Sequence, residues 1–154
     1  MLLAAAFMSI SVFAQKISTD KVPSSVLKAF QSKFPGAADP TWELEHEKDY
    51  EVNFKINSAR HSAVFDSKGN WLESESKIKV SELPAAVKES IIKQFPGFKV
   101  EEAENYEDAE HGSCYEVEIE KGKETFDILI KANGEIIKKT VETEKEKGEE
   151  EDKD

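Results

Sequence analysis

This chain is poor in the residues that most chemistry requires. Among its 154 residues there is one cysteine, Cys114. A single thiol cannot close an internal disulfide, so no disulfide framework supports the fold. The three histidines, His46, His61 and His111, are far apart and form no His-x-x-x-His pair. The sequence has no Gly-x-Ser-x-Gly and no glycine-rich phosphate loop, which removes the usual signatures of serine hydrolases and nucleotide-binding enzymes. No apolar run reaches the roughly 20 residues that a membrane-spanning helix needs. Positive charge is also scarce. Lysine and arginine number 21 against 32 acidic residues, for a net charge of −11. That balance disfavours nucleic acid and anionic membrane surfaces as partners.

Both ends differ from the middle. Residues 2–14 are apolar and uncharged and close on Val12-Phe13-Ala14 before Gln15. This reads as a secretory signal peptide over residues 1–14, although no lysine or arginine precedes the apolar run. The alternative is a buried N-terminal helix, which Ser9 and Ser11 would interrupt. At the other end, residues 142–154 hold eight acidic and three basic residues, with no aromatic or aliphatic side chain. Such a segment buries too little surface to offset its ordering entropy and is expected to be a disordered acidic tail.

The middle states one pattern twice. Val22-Pro23-Ser24-Ser25-Val26, running on to Phe34-Pro35-Gly36, returns sixty-one residues later as Leu83-Pro84-Ala85-Ala86-Val87 and Phe95-Pro96-Gly97. Tyr50-Glu51-Val52 returns sixty-five residues later as Tyr115-Glu116-Val117, and Phe65 to Leu72 returns as Ile130 to Ile137. The four extra residues fall in the loop Glu107 to Gly112. A domain over 15–141, made of repeats 20–79 and 80–141, is expected.

Each repeat opens with a helix. Val22, Val26, Phe30 and Phe34, and then Leu83, Val87, Ile91 and Phe95, step by four along one helical face. Pro23 and Pro84 suit the first helical position, and Pro35 and Pro96 end the helices. Strands follow, with apolar and polar residues alternating at period two. Trp42 and Leu44 alternate with Glu43 and Glu45, while Tyr50, Val52, Phe54 and Ile56 alternate with Glu51, Asn53 and Lys55. Turn signals lie at Asn57-Ser58, Asp66 to Asn70, Lys121-Gly122 and Ala132 to Gly134. The expected class is α+β: two tandem helix-plus-four-strand units forming an antiparallel sheet, with both helices on one face. The other face would be open and would carry Glu43, Glu45, Glu51, Asn53, Lys55, Glu116, Glu118 and Glu120 as candidate partner-binding residues.

Sharper chemistry finds little footing. Asp66-Ser67-Lys68-Gly69-Asn70 faintly resembles a calcium loop but lacks the ligand run and closing glutamate, so a hairpin turn accounts for it better. Carboxylates on an open strand face are solvated, whereas a general acid needs burial to raise its pKa. Cys114 and His111 are near in sequence but lack a third, orienting group. No catalytic, cofactor or metal residue is assigned. Trp42, Trp71, Phe54, Phe65 and Tyr50 read as core, with Leu72 competing with Trp71 for the inner face.

The helix closed by Phe-Pro-Gly, the Tyr-x-Val strand and the Asp/Asn-x-Gly type turn, duplicated after a leader, resemble the PepSY-like family of the beta-lactamase-inhibitor-like fold. The matching residues are Pro23, Val26, Phe34, Pro35, Gly36, Tyr50, Val52, Asp66 and Gly69, with Pro84, Val87, Phe95, Pro96, Gly97, Tyr115, Val117, Asn133 and Gly134. The resemblance implies a secreted or periplasmic, non-catalytic protein with no cofactor. The lack of disulfides separates this chain from disulfide-bearing inhibitors of that fold, and no inhibitory residue carries over. The expected function is a binding module acting on an unidentified protein partner through the open sheet face, inhibition included. The alternative is an acidic cation-binding or envelope-stress protein. A small hydrolase built on Cys114 and His111 is the third reading.

Overall fold

The computed structural model describes residues 15–45 and 48–141. The expected signal peptide (residues 1–14), His46, Glu47 and the expected acidic tail (residues 142–154) lie outside these residues. Among the described residues the fold is α+β, with two ten-residue helices and nine strands whose described pairings are antiparallel. The chain divides into two compact units between Glu73 and Ser74.

In the first unit, strand β1 (Gln15–Ile17) precedes helix α1 (Ser24–Lys33) and strands β2 (Ala38–Glu45), β3 (Asp49–Ile56) and β4 (Ala59–Asp66). Strand β5 (Trp71–Ile78) begins here and crosses into the second unit. The sequence pattern did not reveal β1, because three residues are too few to show a period. It pairs with β2 through Gln15 and Leu44, Lys16 and Glu43, and Ile17 and Trp42. The strand β2 also starts earlier than its alternation suggests. Asp39, with a φ of +52°, and Pro40 interrupt its register with β3 between Ala38 and Thr41.

Pro23 takes the N-cap position of α1, one residue before the expected site. The four-residue step then buries Val22, Val26 and Phe30 against Trp42, Val52, Phe54, Ala63 and Phe65. The Phe30 ring meets Trp42 edge-on at 5.4 Å and Phe54 at 5.1 Å, the tilted geometry that aromatic quadrupoles favour. Phe34 is only half-buried at the rim, where its backbone amide closes the helix on the Phe30 carbonyl. Trp71 packs against this core while Leu72 is exposed, so the tryptophan takes the inner face.

The second unit holds helix α2 (Ala85–Gln94) and strands β6 (Lys99–Asp108), β7 (Gly112–Lys121), β8 (Glu124–Ile130) and β9 (Ile136–Val141). Its core is more aliphatic. Leu83, Val87 and Ile91 pack with Ala103, Val117, Ile119, Ile128 and Ile130. Ala103 stands where the first unit has Trp42, and Ile119 where it has Phe54. Phe98 and Phe126, stacked at 5.2 Å, cap one end of this core with Phe95. Pro84 is again the N-cap, and Phe95 is again half-buried.

In both units a glycine turn rests against the first turns of the helix. Gly69 sits at φ +87° and Gly134 at φ +85°. A side chain at either would collide with the helix backbone, which is why glycine is required there.

Candidate interaction surface

Strand parity assigns the second face of each unit. Val52 and Phe54 enter the core, so Glu51, Asn53 and Lys55 point to the opposite side. Val117 and Ile119 likewise send Glu116, Glu118 and Glu120 outward. The opposite faces are less solvated than an alternating pattern implies. Asn53, Lys55 and Glu120 are exposed, but Glu43, Glu45, Glu51, Glu116 and Glu118 are half-buried. The reason lies beneath them. Val64 is 9% exposed and Leu129 is 8% exposed, yet both lie on the side away from the helix and outside the core clusters. Neither was singled out from the sequence, because both sit in continuous apolar runs where inward and outward positions look alike.

Register aligns these residues into rows. In the first unit Glu43 pairs with Glu51, and Glu51 with Val64. In the second, Glu104 pairs with Glu116, Glu116 with Leu129, and Leu129 with Lys138. Glu102 pairs with Glu118 in the next row and receives Lys77 at 2.5 Å. In the first unit Lys55 reaches Asp39 at 3.4 Å. Both ion pairs are too exposed to contribute much stability.

The long β6–β7 connection forms a hook. Asp108 accepts the Glu110 amide at 2.9 Å, the His111 amide at 2.5 Å and the His111 ring at Nδ1, 2.8 Å away. Burial alone would raise the pKa of Asp108, but the bonds from His111 and the Tyr106 hydroxyl outweigh it and hold the carboxyl below its usual range. Cys114 lies under this hook on the side away from α2, paired with Tyr106, and is 3% exposed. Burial, aided by the nearby Asp108 charge, pushes its thiol pKa upward.

Asp108 is therefore an orienting group for His111 that sequence reasoning missed. It does not complete a nucleophilic site. The Cys114 Sγ lies 3.9 Å from the His111 carbonyl, and the ring Nε2 is directed to Glu110 at 3.8 Å. A protonated thiol away from the imidazole is a poor nucleophile. The Asp66 loop is likewise committed to its own turn. Its carboxylate accepts the amides of Lys68 and Asn70 and the Asn70 side chain. Those bonds, with Asn70 the largest contributor, hold its pKa low. Among the described residues no group of three or more acidic, histidine or cysteine side chains could hold a metal, and no helix is long and apolar enough to cross a membrane.

A helix-backed antiparallel scaffold with polar rows on its other side defines a small α+β protein of the beta-lactamase-inhibitor-like kind. The family model described as beta-lactamase-inhibitor-like, PepSY-like matches residues 5–59 and 48–138, and the chain belongs to that PepSY-like family. Solved structures share the fold. A BLIP-like protein from Bacteroides fragilis matches with a TM-score of 0.69 at 21% identity, over 81% of this chain and 90% of that one. A protein from Bacteroides eggerthii, assigned provisionally to the periplasm, matches at 0.69 and 21% identity, over 78% and 88% of the two chains. A DUF2874 family protein from Bacteroides uniformis matches at 0.68 and 23% identity, over 77% and 88%. Comparison with curated proteins gave no match.

Proposed function

We propose that this protein is a non-catalytic periplasmic or secreted binding module that engages another protein through the sheet faces away from its helices. One observation carries the reading. Each unit spends its helix on one face and leaves on the other an aliphatic residue, Val64 or Leu129, ringed by half-buried polar side chains. An apolar point inside a polar rim is the layout of a protein-binding patch. Glu43 and Glu51 share its row in the first unit, with Glu45, Asn53 and Lys55 elsewhere on the same face, and Glu116 shares it in the second, with Glu118 and Glu120 further along the same strand face. Inhibition of a partner enzyme is one form such binding would take. The periplasmic assignment draws support from the apolar leader and from the Bacteroides eggerthii neighbour.

Site-specific photocrosslinking tests the reading. A crosslinker at Asn53 or Glu118 should capture one partner band from periplasmic extract, and the same group at Glu89 on α2 should not. Replacing Leu129 or Val64 with aspartate should abolish the band. Capture from Glu89 alone would place the working surface on the helix side and overturn the proposal.

A further inference from the structure

We infer that Asn133 is a covalent modification site: when the β8–β9 turn leaves α2, Asn133 deamidates through a cyclic imide, and the isoaspartate that forms bars the turn from docking again. The inference stands apart from the binding reading above and concerns the joint between helix and sheet in the second unit.

Three observations lead to it. First, Asn133 is the only asparagine of the chain that is followed by glycine. Glycine has no side chain to shield its backbone nitrogen, and Asn133 itself is exposed. The step is internal. The Gly134 amide gives its proton to hydroxide, its nitrogen bonds to Cγ of Asn133, and the side-chain nitrogen departs as ammonia. Water then opens the imide ring at either carbonyl. One opening gives aspartate. The other gives isoaspartate, in which the main chain runs through Cβ and Cγ and is longer by one methylene.

Second, the folded turn holds the reacting groups apart. The Gly134 N–H donates to the Lys131 carbonyl at 2.9 Å, and Asn133 Oδ1 accepts the Glu135 N–H at 3.0 Å. Ser90 Oγ pins the Gly134 carbonyl to α2 at 2.7 Å, and Lys131 and Glu135 form an ion pair across the turn at 3.0 Å. Reaction therefore requires local opening. Third, the docked turn has no room for the product. Gly134 rests too close to the Ala86 carbonyl to admit a methyl group, so a methylene added to the main chain one residue earlier displaces it. The first unit lacks this chemistry, because Lys68 stands before Gly69 where Asn133 stands before Gly134.

The test incubates the full chain at pH 8 in buffer and in urea. Deamidation is followed by peptide mass mapping, and isoaspartate is counted by its enzymatic methylation. Asn133 should convert roughly tenfold or more slowly in buffer than in urea, the factor reflecting how seldom the turn opens. Ser90→Ala should raise the rate in buffer severalfold and leave the rate in urea unchanged. After urea is removed, the isoaspartate chain should melt below the parent, and Asn133→Asp, which keeps the main chain, should melt closer to it. Equal rates at Asn133 in buffer and urea would overturn the gating without need of any variant. A Ser90→Ala rate equal to the parent's in buffer would overturn the hold of the helix on the turn. Conversion at Asn57, in the Asn57-Ser58 turn, ahead of Asn133 in urea would overturn the assignment of the site. An isoaspartate chain that melts with the parent would overturn the block to docking.

Discussion

Gly134 lies so close to α2 that a methyl group built on its Cα would stand 2.6 Å from the carbonyl oxygen of Ala86. The first unit repeats the contact, with Gly69 placing the same atom 2.7 Å from the Ser25 carbonyl. Hydrogen bonds fasten each turn to its helix: Ser90 Oγ donates to the Gly134 carbonyl at 2.7 Å, and Ser25 Oγ to the Ser67 carbonyl at 3.1 Å. The turns thus lock helix to sheet within each unit.

Alanine substitutions separate this contact from backbone strain. Gly122 also has a positive φ but nothing within 4 Å of the added atom. Gly122→Ala should cost roughly 1–2 kcal/mol, the penalty of the left-handed region alone. Gly134→Ala and Gly69→Ala should each cost about 1–3 kcal/mol more, because the helix backbone must shift. Urea melts of the three variants check this, and equal midpoints would remove the locking role.

The thiol of Cys114 should be shielded by the Asp108 hook. In the folded protein it should react with a thiol reagent at pH 8 far more slowly than in urea, since burial disfavours the thiolate. His111→Gly should speed labelling severalfold by loosening the hook. Rapid labelling of the parent chain would show that the hook does not cover the sulfur.

Asp108 also sets a pH dependence. Its folded-state pKa is depressed, so its contribution is complete above the ordinary carboxylate pKa of about 4 and fades as pH falls through the lower folded value. Asp108→Asn should lower stability at pH 7 by about 1–3 kcal/mol. The gap between parent and variant should shrink below about pH 4. A gap that stayed constant in acid melts would exclude the Asp108 charge as its source.

Core and open face should respond oppositely to mutation. Phe65 is fully buried, and Phe65→Ala should cost about 3–5 kcal/mol. Phe34 and Phe95 are half-buried, so their alanine variants should cost less than Phe65→Ala. Glu51→Gln and Glu116→Gln should change stability by no more than about 0.5 kcal/mol, since neither side chain enters the helix-covered core. A costly glutamate beside a neutral Phe65 would mean that the faces are reversed.

Two lysines should prove to be aromatic partners. The Lys33 ammonium lies 3.7 Å from the Trp71 ring centre, and that of Lys139 lies 3.5 Å from Phe126. Lys33→Met and Lys139→Met keep most of the apolar stem and should each cost about 0.5–1 kcal/mol through the lost cation–ring attraction. Unchanged melting temperatures would show that the stems alone protect the rings.

Among the described residues, the sequence by itself determined the helices, eight of the nine strands and the inner residue of most of them. Those features follow from local rules: a four-residue step, a two-residue alternation, and proline and glycine at the ends. Trp42, Val52, Phe54, Val117 and Ile119 were legible as core for that reason. The strand β1 was not, because its pairing with β2 is a long-range choice that three residues cannot encode. Only the tertiary structure decided that Val64 and Leu129 lie outside the helix-covered cores, since their strands are apolar on both sides. The opposition of Glu43 to Glu51 and of Glu104 to Glu116 also came from pairing register, which depends on hairpin lengths and bulges. The Asp108 bond to His111, with Cys114 beneath it, arose from the four inserted residues. Their closure over the sheet depends on side-chain bonds made across a turn, a geometry that no period in the sequence records.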